Sequence, residues 1–221
     1  MERQFLNTVF LLFILAGCQQ VEINPVDISS NKENLYSSDE FDIANKVDIS
    51  IWTYIQKNNS SKDNVVLDEQ TLAYMNSHLK DLEKFQEYLN DSYYFLYFVV
   101  NELEKSNLPI ELAILPYIES NYDPFSISSS GAVGMWQFMP RTGRLYELNK
   151  SWWNEDRHDP YKSTEAAVGY LKYLYERFNQ DIYLTLAAYN AGPSLVDRRI
   201  NQNKRRGENT DFWSLNLPSQ T

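Results

Sequence analysis

The stretch PIELAILPYIESNYDPFSISSSGAVGMWQFMP, from Pro109 to Pro140, decides how the rest of the chain is read. Within it, Leu112 to Ile118 carries no charge and runs directly into Glu119. Ile114, Leu115, Tyr117 and Ile118 are spaced to wall that carboxyl with apolar surface, which disfavours the ionised form and raises its pKa. A shift from about 4.3 towards ~6 costs the charged form roughly 2 kcal/mol and lets a carboxylic acid donate a proton near neutral pH. A lone glutamate ordinarily caps a helix end or joins an ion pair. Here a Ser-rich loop follows, Asn121 to Ser130, then an aromatic, amide-bearing strip, Gly131 to Phe138, and these neighbours favour a chemical role.

Working outward, Pro109 is placed to open a helix after the break at Asn107-Leu108. Pro116 removes a backbone donor one turn before Glu119, so the spacing predicts a kink or two short helices. Upstream, Tyr93, Leu96, Tyr97, Val100 and Leu103 form one apolar stripe ending near Lys105, with Asp91 or Ser92 as the cap. From Asp68 the same 3.6-residue period links Leu72, Met75, Leu79, Leu82, Phe85, Tyr88 and Leu89. Downstream, Pro140 suits a helix start, Trp152 to Tyr161 is irregular and acidic-aromatic, and Ser163 is read as the N-cap of a helix facing inward through Ala167, Leu171, Leu174 and Phe178. Asp181 opens a helix carrying Leu184 to Asn190, which Gly192-Pro193 stops. Ser194 to Asn203 makes a last short helix, with Lys204-Arg205-Arg206 near its end. No strand-period run, βαβ alternation or internal repeat interrupts this series, so the fold is expected to be all-α.

The 221 residues are 43% apolar, enough for one domain of about 150 residues plus extensions. Twenty Lys and Arg against 30 Asp and Glu leave a formal charge of -10, which repels nucleic acid. A carbohydrate partner, held by stacking and hydrogen bonds, is compatible with that charge, and 16 Tyr, 11 Phe and 5 Trp supply stacking faces. His78 and His158 lack metal-ligand company, so neither a metal nor another cofactor is expected.

The single cysteine, Cys18, follows a polar start with Arg3 as its only positive charge and an apolar run, Val9 to Leu15. That run is too short to span a bilayer and fits a secretory signal, residues 1–17. Leu15-Ala16-Gly17-Cys18 resembles the bacterial lipoprotein box, which implies lipidation of Cys18 and membrane attachment through the acyl chains, each buried CH2 adding about 0.8 kcal/mol. Gln19 stands where an inner-membrane retention signal would have Asp, so the expected location is the cell envelope, on the outer membrane facing the periplasm. Residues 18–66 read as a tether and N-terminal segment, polar to about Asn45, with Ile49, Ile51, Trp52 and Ile55 as a short docking element.

Three motifs stand in order: Glu119-Ser120, then Gly131-Ala132-Val133-Gly134-Met135-Trp136-Gln137-Phe138-Met139-Pro140, then Ala188-Tyr189-Asn190-Ala191-Gly192. Together they resemble the catalytic domain of the family 1 (soluble-lytic-transglycosylase-like) lytic transglycosylases, most closely the membrane-bound murein type D, over roughly Asp68 to Thr221. The resemblance implies a lysozyme-like helical transglycosylase domain over residues 67–221, with peptidoglycan glycan strands as the partner and no obligate protein partner evident. It implies that Glu119 protonates the β-1,4 glycosidic oxygen between N-acetylmuramic acid and N-acetylglucosamine. The same group then takes the proton of the C6 hydroxyl as that oxygen attacks the anomeric carbon, leaving a 1,6-anhydro end without water. Each such proton transfer typically contributes about 100- to 10,000-fold.

Most glycosidases instead use two carboxylates, about 5 Å apart to retain configuration or about 6.5–9.5 Å apart to invert it. Asp123 is the nearest second acid, but Pro124 takes it off the helix and it reads as a turn or cap residue. The resemblance assigns substrate contacts to Ser120, Gly134, Met135, Gln137, Tyr189 and Asn190. Ser120 also fits plain helix-end polarity, Gly134 permits close backbone approach to a sugar ring, and Gln137 offers both donor and acceptor. Met135 fits groove wall or core, while Trp136 and Phe138 read nearer core. Tyr189 is expected to bond and orient the acid. Hydrolysis, as in goose-type lysozymes, and glycan binding without turnover are the competing readings. Phe212 to Pro218 resembles the segment that leads, in this family, into a Glu-Thr-x-x-Tyr-Val stretch. Gln220-Thr221 occupies that place, so the domain reads as shortened at its C-terminus.

Overall fold

A computed structural model describes residues 92–218. The signal, Cys18, the tether, the helical face from Leu72 to Leu89, and His78 lie outside the described residues. Among the described residues six α-helices and three 3₁₀ turns follow one another, and β pairing is confined to isolated bridges. This is the all-α architecture expected from the sequence period. No helix among the described residues is long and apolar enough to cross a membrane.

Helix α1, Tyr93–Lys105, buries Leu96, Val99, Val100 and Leu103, the stripe that a 3.6-residue repeat places on one face. Ser92 holds the N-cap position, although its side chain makes no capping bond. The chain then divides as Pro116 predicts. A fully buried 3₁₀ turn, Ile110–Ile114, gives way to α2, Leu115–Ser120, with the proline in its first turn where a missing N–H costs nothing. Helix α2 ends on Asn121 in the left-handed conformation, φ 54°, and Tyr122 follows at φ 62°. Their N–H groups close back on the carbonyls of Tyr117 and Pro116. Tyr122 is 2% exposed, and its hydroxyl donates to the Ala113 carbonyl. Asn tolerates the left-handed region better than most residues, so Asn121-Tyr122 is the lock that ends the helix just after Glu119.

Helix α3 spans Pro140–Leu145, a 3₁₀ turn spans Asp156–His158, and α4 spans Pro160–Arg177. The cap of α4 is Asp159, whose Oδ1 accepts from the N–H groups of Tyr161 and Lys162 at 2.9 and 3.0 Å. Ser163, expected to cap this helix, is instead 1% exposed inside its first turn. Pro160 starts the helix earlier because it supplies a helical φ with no donor to satisfy.

Helix α5, Ile182–Ala191, is capped by Asp181, as its sequence predicts, through a bond from Leu184 N–H at 3.0 Å. Five consecutive residues, Leu184 to Ala188, are buried, so this helix is enclosed on all sides. It packs between α4, α6 (Pro193–Arg206) and the 3₁₀ turn Phe212–Ser214. Two apolar clusters result, one around α1, α2 and the inner face of α4, the other between α4, α5 and α6. Tyr170 and Tyr189 pack against both and join them. Asn203, 5% exposed, donates to the carbonyls of Asn209 and Ser214 at 2.8 Å and fastens the final segment to α6.

Candidate active site

The strip between α2 and α3 folds into a turn that points inward. Val133 and Phe138 exchange both backbone hydrogen bonds at 3.1 Å, and Gln137 N–H closes on Gly134 O at 3.1 Å. Met135 and Trp136 occupy the tip, yet they are 1% and 0% exposed. Turn tips are usually solvated, so such an arrangement requires anchors for the backbone groups that the tip takes into the interior. Two hydroxyls supply them. Ser120 Oγ, adjacent to the acid at the end of α2, lies 2.9 Å from the Met135 carbonyl and 3.1 Å from that of Pro116. The Tyr189 hydroxyl, from α5, donates to the Trp136 carbonyl at 2.8 Å. Trp136 Nε1 in turn donates to Thr164 Oγ1 of α4 at 2.9 Å. The Met135-Trp136 tip thus joins three helices.

Glu119 lies partly buried on the last turn of α2, while Ile114, Leu115 and Tyr117 are in the core and Ile118 is partly buried. The phenol of Tyr189 is held well above its ordinary pKa, first by burial, then by the negative charge of Glu119 and by Tyr170. Acid and phenol are therefore neighbours electrostatically, and the phenol's proton goes to the Trp136 carbonyl. Asn190, next in sequence, has its Oδ1 shielded from solvent with no hydrogen-bond partner among the described residues. A buried acceptor left unmet costs about 1–3 kcal/mol, so a donor delivered by a bound molecule would be welcomed there.

The other expected contacts fall as follows. Gly134 has φ +81°, and a Cβ there would stand 1.9 Å from the Arg157 carbonyl oxygen. The close approach that demands glycine is made by the protein's own backbone. Met135 turns its side chain into the core and its carbonyl towards Ser120. Gln137, at φ 48°, gives its amide nitrogen to Gly134 O at 2.8 Å and Ser126 O at 3.4 Å. Asp123 is exposed, and its Oδ1 accepts from Phe125 N–H at 2.8 Å, the turn role that Pro124 implies. His158 faces the Pro124 carbonyl through Nδ1 at 2.8 Å and packs against the ring of Phe125.

Two residues that matter here escaped the sequence reading. Glu111, in the 3₁₀ turn before α2, is 1% exposed, more deeply placed than Glu119, and its charge contributes to raising the Tyr175 pKa after burial does. Its position between Ile110 and Leu112 was the available signal. Arg157 is 5% exposed, pairs with Glu155 at 2.6 Å, and donates through Nη1 to Phe138 O at 2.7 Å and Gly131 O at 3.1 Å. It ties both ends of the inward turn, and nothing in the local pattern of Glu155 to His158 marks it.

The sequence is similar to those of several known proteins. "Membrane-bound lytic murein transglycosylase D" of Escherichia coli (strain K12) is 40% identical over 149 residues, covering 63% of this chain and 33% of that protein. "Putative tributyltin chloride resistance protein" of Alteromonas sp. (strain M-1) is 40% identical over 112 residues, 51% of this chain and 54% of that one. "Membrane-bound lytic murein transglycosylase F" of Alcanivorax borkumensis is 36% identical over 109 residues, 46% and 22% respectively. The chain thus spans about a third of the length of the Escherichia coli relative. The family model "Transglycosylase SLT domain" matches residues 97–212, more than half of the 221 residues and most of the helical assembly around Glu119, Trp136 and Tyr189: the chain belongs to the transglycosylase SLT domain family.

Proposed function

We propose that this chain is a peptidoglycan lytic transglycosylase, cleaving the β-1,4 bond between N-acetylmuramic acid and N-acetylglucosamine without water and leaving a 1,6-anhydro end. The observation that carries the reading is the acid itself. Glu119 stands on a helix end that Asn121 and Tyr122 lock and Ser120 fastens to the Met135 carbonyl. A group that serves as acid in one step and base in the next must hold its position through both, and this anchoring supplies that. Asp123, engaged in its own turn, is not used. The family match and the murein transglycosylase names of the relatives support the substrate class.

In this reading Glu119 protonates the leaving glycosidic oxygen and then accepts the C6 hydroxyl proton. Tyr189 positions the Trp136 carbonyl, and Asn190 Oδ1 accepts from an acetamido N–H or sugar hydroxyl. Gln137 Oε1 is the acceptor left once its amide nitrogen is engaged. Lipidation at Cys18 and residence on the periplasmic face of the outer membrane belong to the same proposal, supported by the Leu15-Ala16-Gly17-Cys18 sequence and by the membrane-bound description of the relatives. Incubating the purified chain with peptidoglycan sacculi and analysing the released muropeptides by mass spectrometry tests it. Anhydro-N-acetylmuramic ends are expected; reducing ends in their place would assign the chain to hydrolysis.

A further inference from the structure

Trp152 and Trp153 are 85% and 79% exposed, the most exposed of the large apolar side chains among the described residues. Their rings lie 4.7 Å apart between centroids and are inclined at 43°, forming a shallow wedge. Exposed single apolar residues are ordinary, but two adjacent tryptophans left in water are not, because this side chain carries so much apolar area.

Nor are they carried on loose chain. They take the two central positions of a turn closed by Ser151 N–H on Asn154 O at 2.7 Å and by Asn154 N–H on Ser151 Oγ at 3.0 Å. Below it, Lys150 and Glu155 form an antiparallel bridge with an ion pair of 2.7 Å. Asp156 accepts from Asn149 N–H, Asn154 Nδ2 and Lys162 Nζ. Glu155 also pairs with Arg157, which holds the carbonyls of Gly131 and Phe138. The tryptophan tip is thereby wired to the same inward turn that Ser120 and Tyr189 fasten.

From this we infer that Trp152 and Trp153 form a stacking platform for pyranose rings of a glycan strand, holding the polymer beside the acid-bearing site. The inference rests on the transglycosylase reading and extends it to substrate capture. A pyranose presents a flat C–H face that packs on an indole, with hydroxyls and acetamido groups at its rim. Asn149 and Asn154 flank the tip in sequence; their amide nitrogens are engaged by Glu147 O and Asp156 Oδ1, which leaves their side-chain carbonyl oxygens as acceptors for the hydroxyls and N–H groups of that rim. A bilayer surface also attracts tryptophan, but the formal charge of -10 opposes approach to anionic lipid, whereas a glycan backbone is read without that penalty.

The test uses the whole chain in a Glu119→Gln background, so that binding is read without turnover. Co-sedimentation with purified sacculi is expected to weaken about tenfold or more when Trp152→Ala and Trp153→Ala are added, and to recover largely with Trp152→Phe and Trp153→Phe, which keep an aromatic face. Binding as tight in the double alanine variant as in Glu119→Gln alone overturns the platform. Unchanged sacculus binding with lost binding to phosphatidylethanolamine/phosphatidylglycerol vesicles overturns it in favour of a membrane contact. If the parent chain releases no anhydro ends and the Glu119→Gln form does not sediment with sacculi, the transglycosylase reading fails and the platform with it. The first two failures leave anhydro release by the parent intact, which separates them from this third.

Discussion

The Tyr189 hydroxyl donates to the carbonyl of Trp136 at 2.8 Å, joining positions 53 residues apart. This bond holds the inward turn to α5 from one side while Ser120 holds it to α2 from the other, at 2.9 Å from the neighbouring Met135 carbonyl. The helix end that carries Glu119 and the buried Met135-Trp136 tip are thereby fixed to one another through adjacent carbonyls.

Tyr189→Phe tests that linkage. The Trp136 carbonyl loses its donor, at a cost of about 1–3 kcal/mol seen as a lower urea midpoint. Turnover of sacculi is expected to fall by on the order of tenfold to a hundredfold, since small displacements at a positioned acid are expensive. Equal activity in the Phe variant would remove Tyr189 from the positioning role.

The two glycines of the strip should behave differently. Gly134→Ala would place a methyl 1.9 Å from the Arg157 carbonyl oxygen at φ +81°, and a loss of more than about 3 kcal/mol or failure to fold is expected. Gly131 shares a positive φ, +86°, but meets nothing within 4 Å, so Gly131→Ala should cost only about 1–2 kcal/mol. Thermal unfolding of both variants decides it; similar losses would mean that the contact with Arg157 does not set the requirement.

Asp123→Asn separates one-acid from two-acid chemistry. The amide oxygen can still accept from Phe125 N–H, so the turn is kept. Activity within about threefold of the parent is expected, whereas a required second carboxylate would show a loss of about 100-fold or more.

Acid should destabilise the region around the tryptophan turn. Arg157 holds the Glu155 carboxyl below its ordinary value, with Lys150 adding to the effect, and Lys162 does the same for Asp156. Because both folded pKa values lie below the unfolded ones, near 4.5 and 3.8, the stabilisation is complete above that range. It is lost as the pH falls through the lowered folded values. Melting temperature should fall as the pH is lowered from 5 towards 3, with a smaller drop in Arg157→Met. Identical profiles for parent and variant would show that Glu155 owes nothing to Arg157.

Much of this was legible in the sequence because it was written in local terms. The 3.6-residue stripe of Leu96, Val100 and Leu103, the division at Pro116 and the Asp181 cap each depend on a few neighbouring residues. The Asp123 turn depends only on the residue two positions on. The start of α4 was misplaced because Asp159-Pro160 and Ser163 both carry start signals, and the sequence does not say that Ser163 is buried. What stayed hidden is non-local. That Gly134 meets the Arg157 carbonyl, that the Tyr189 hydroxyl donates a hydrogen bond to the Trp136 carbonyl, and that a buried arginine ties Gly131 to Phe138 all depend on packing between segments about 20 to 50 residues apart.

The most direct measurement of the central claim is the product spectrum of Glu119→Gln on sacculi, run beside the parent chain. The amide keeps the size of the side chain but cannot shuttle a proton. Anhydro-ended muropeptides are expected from the parent and none from the variant, with the variant's unfolding midpoint shifted by less than about 1 kcal/mol equivalent. Anhydro products from Glu119→Gln at a rate comparable to the parent would contradict the account.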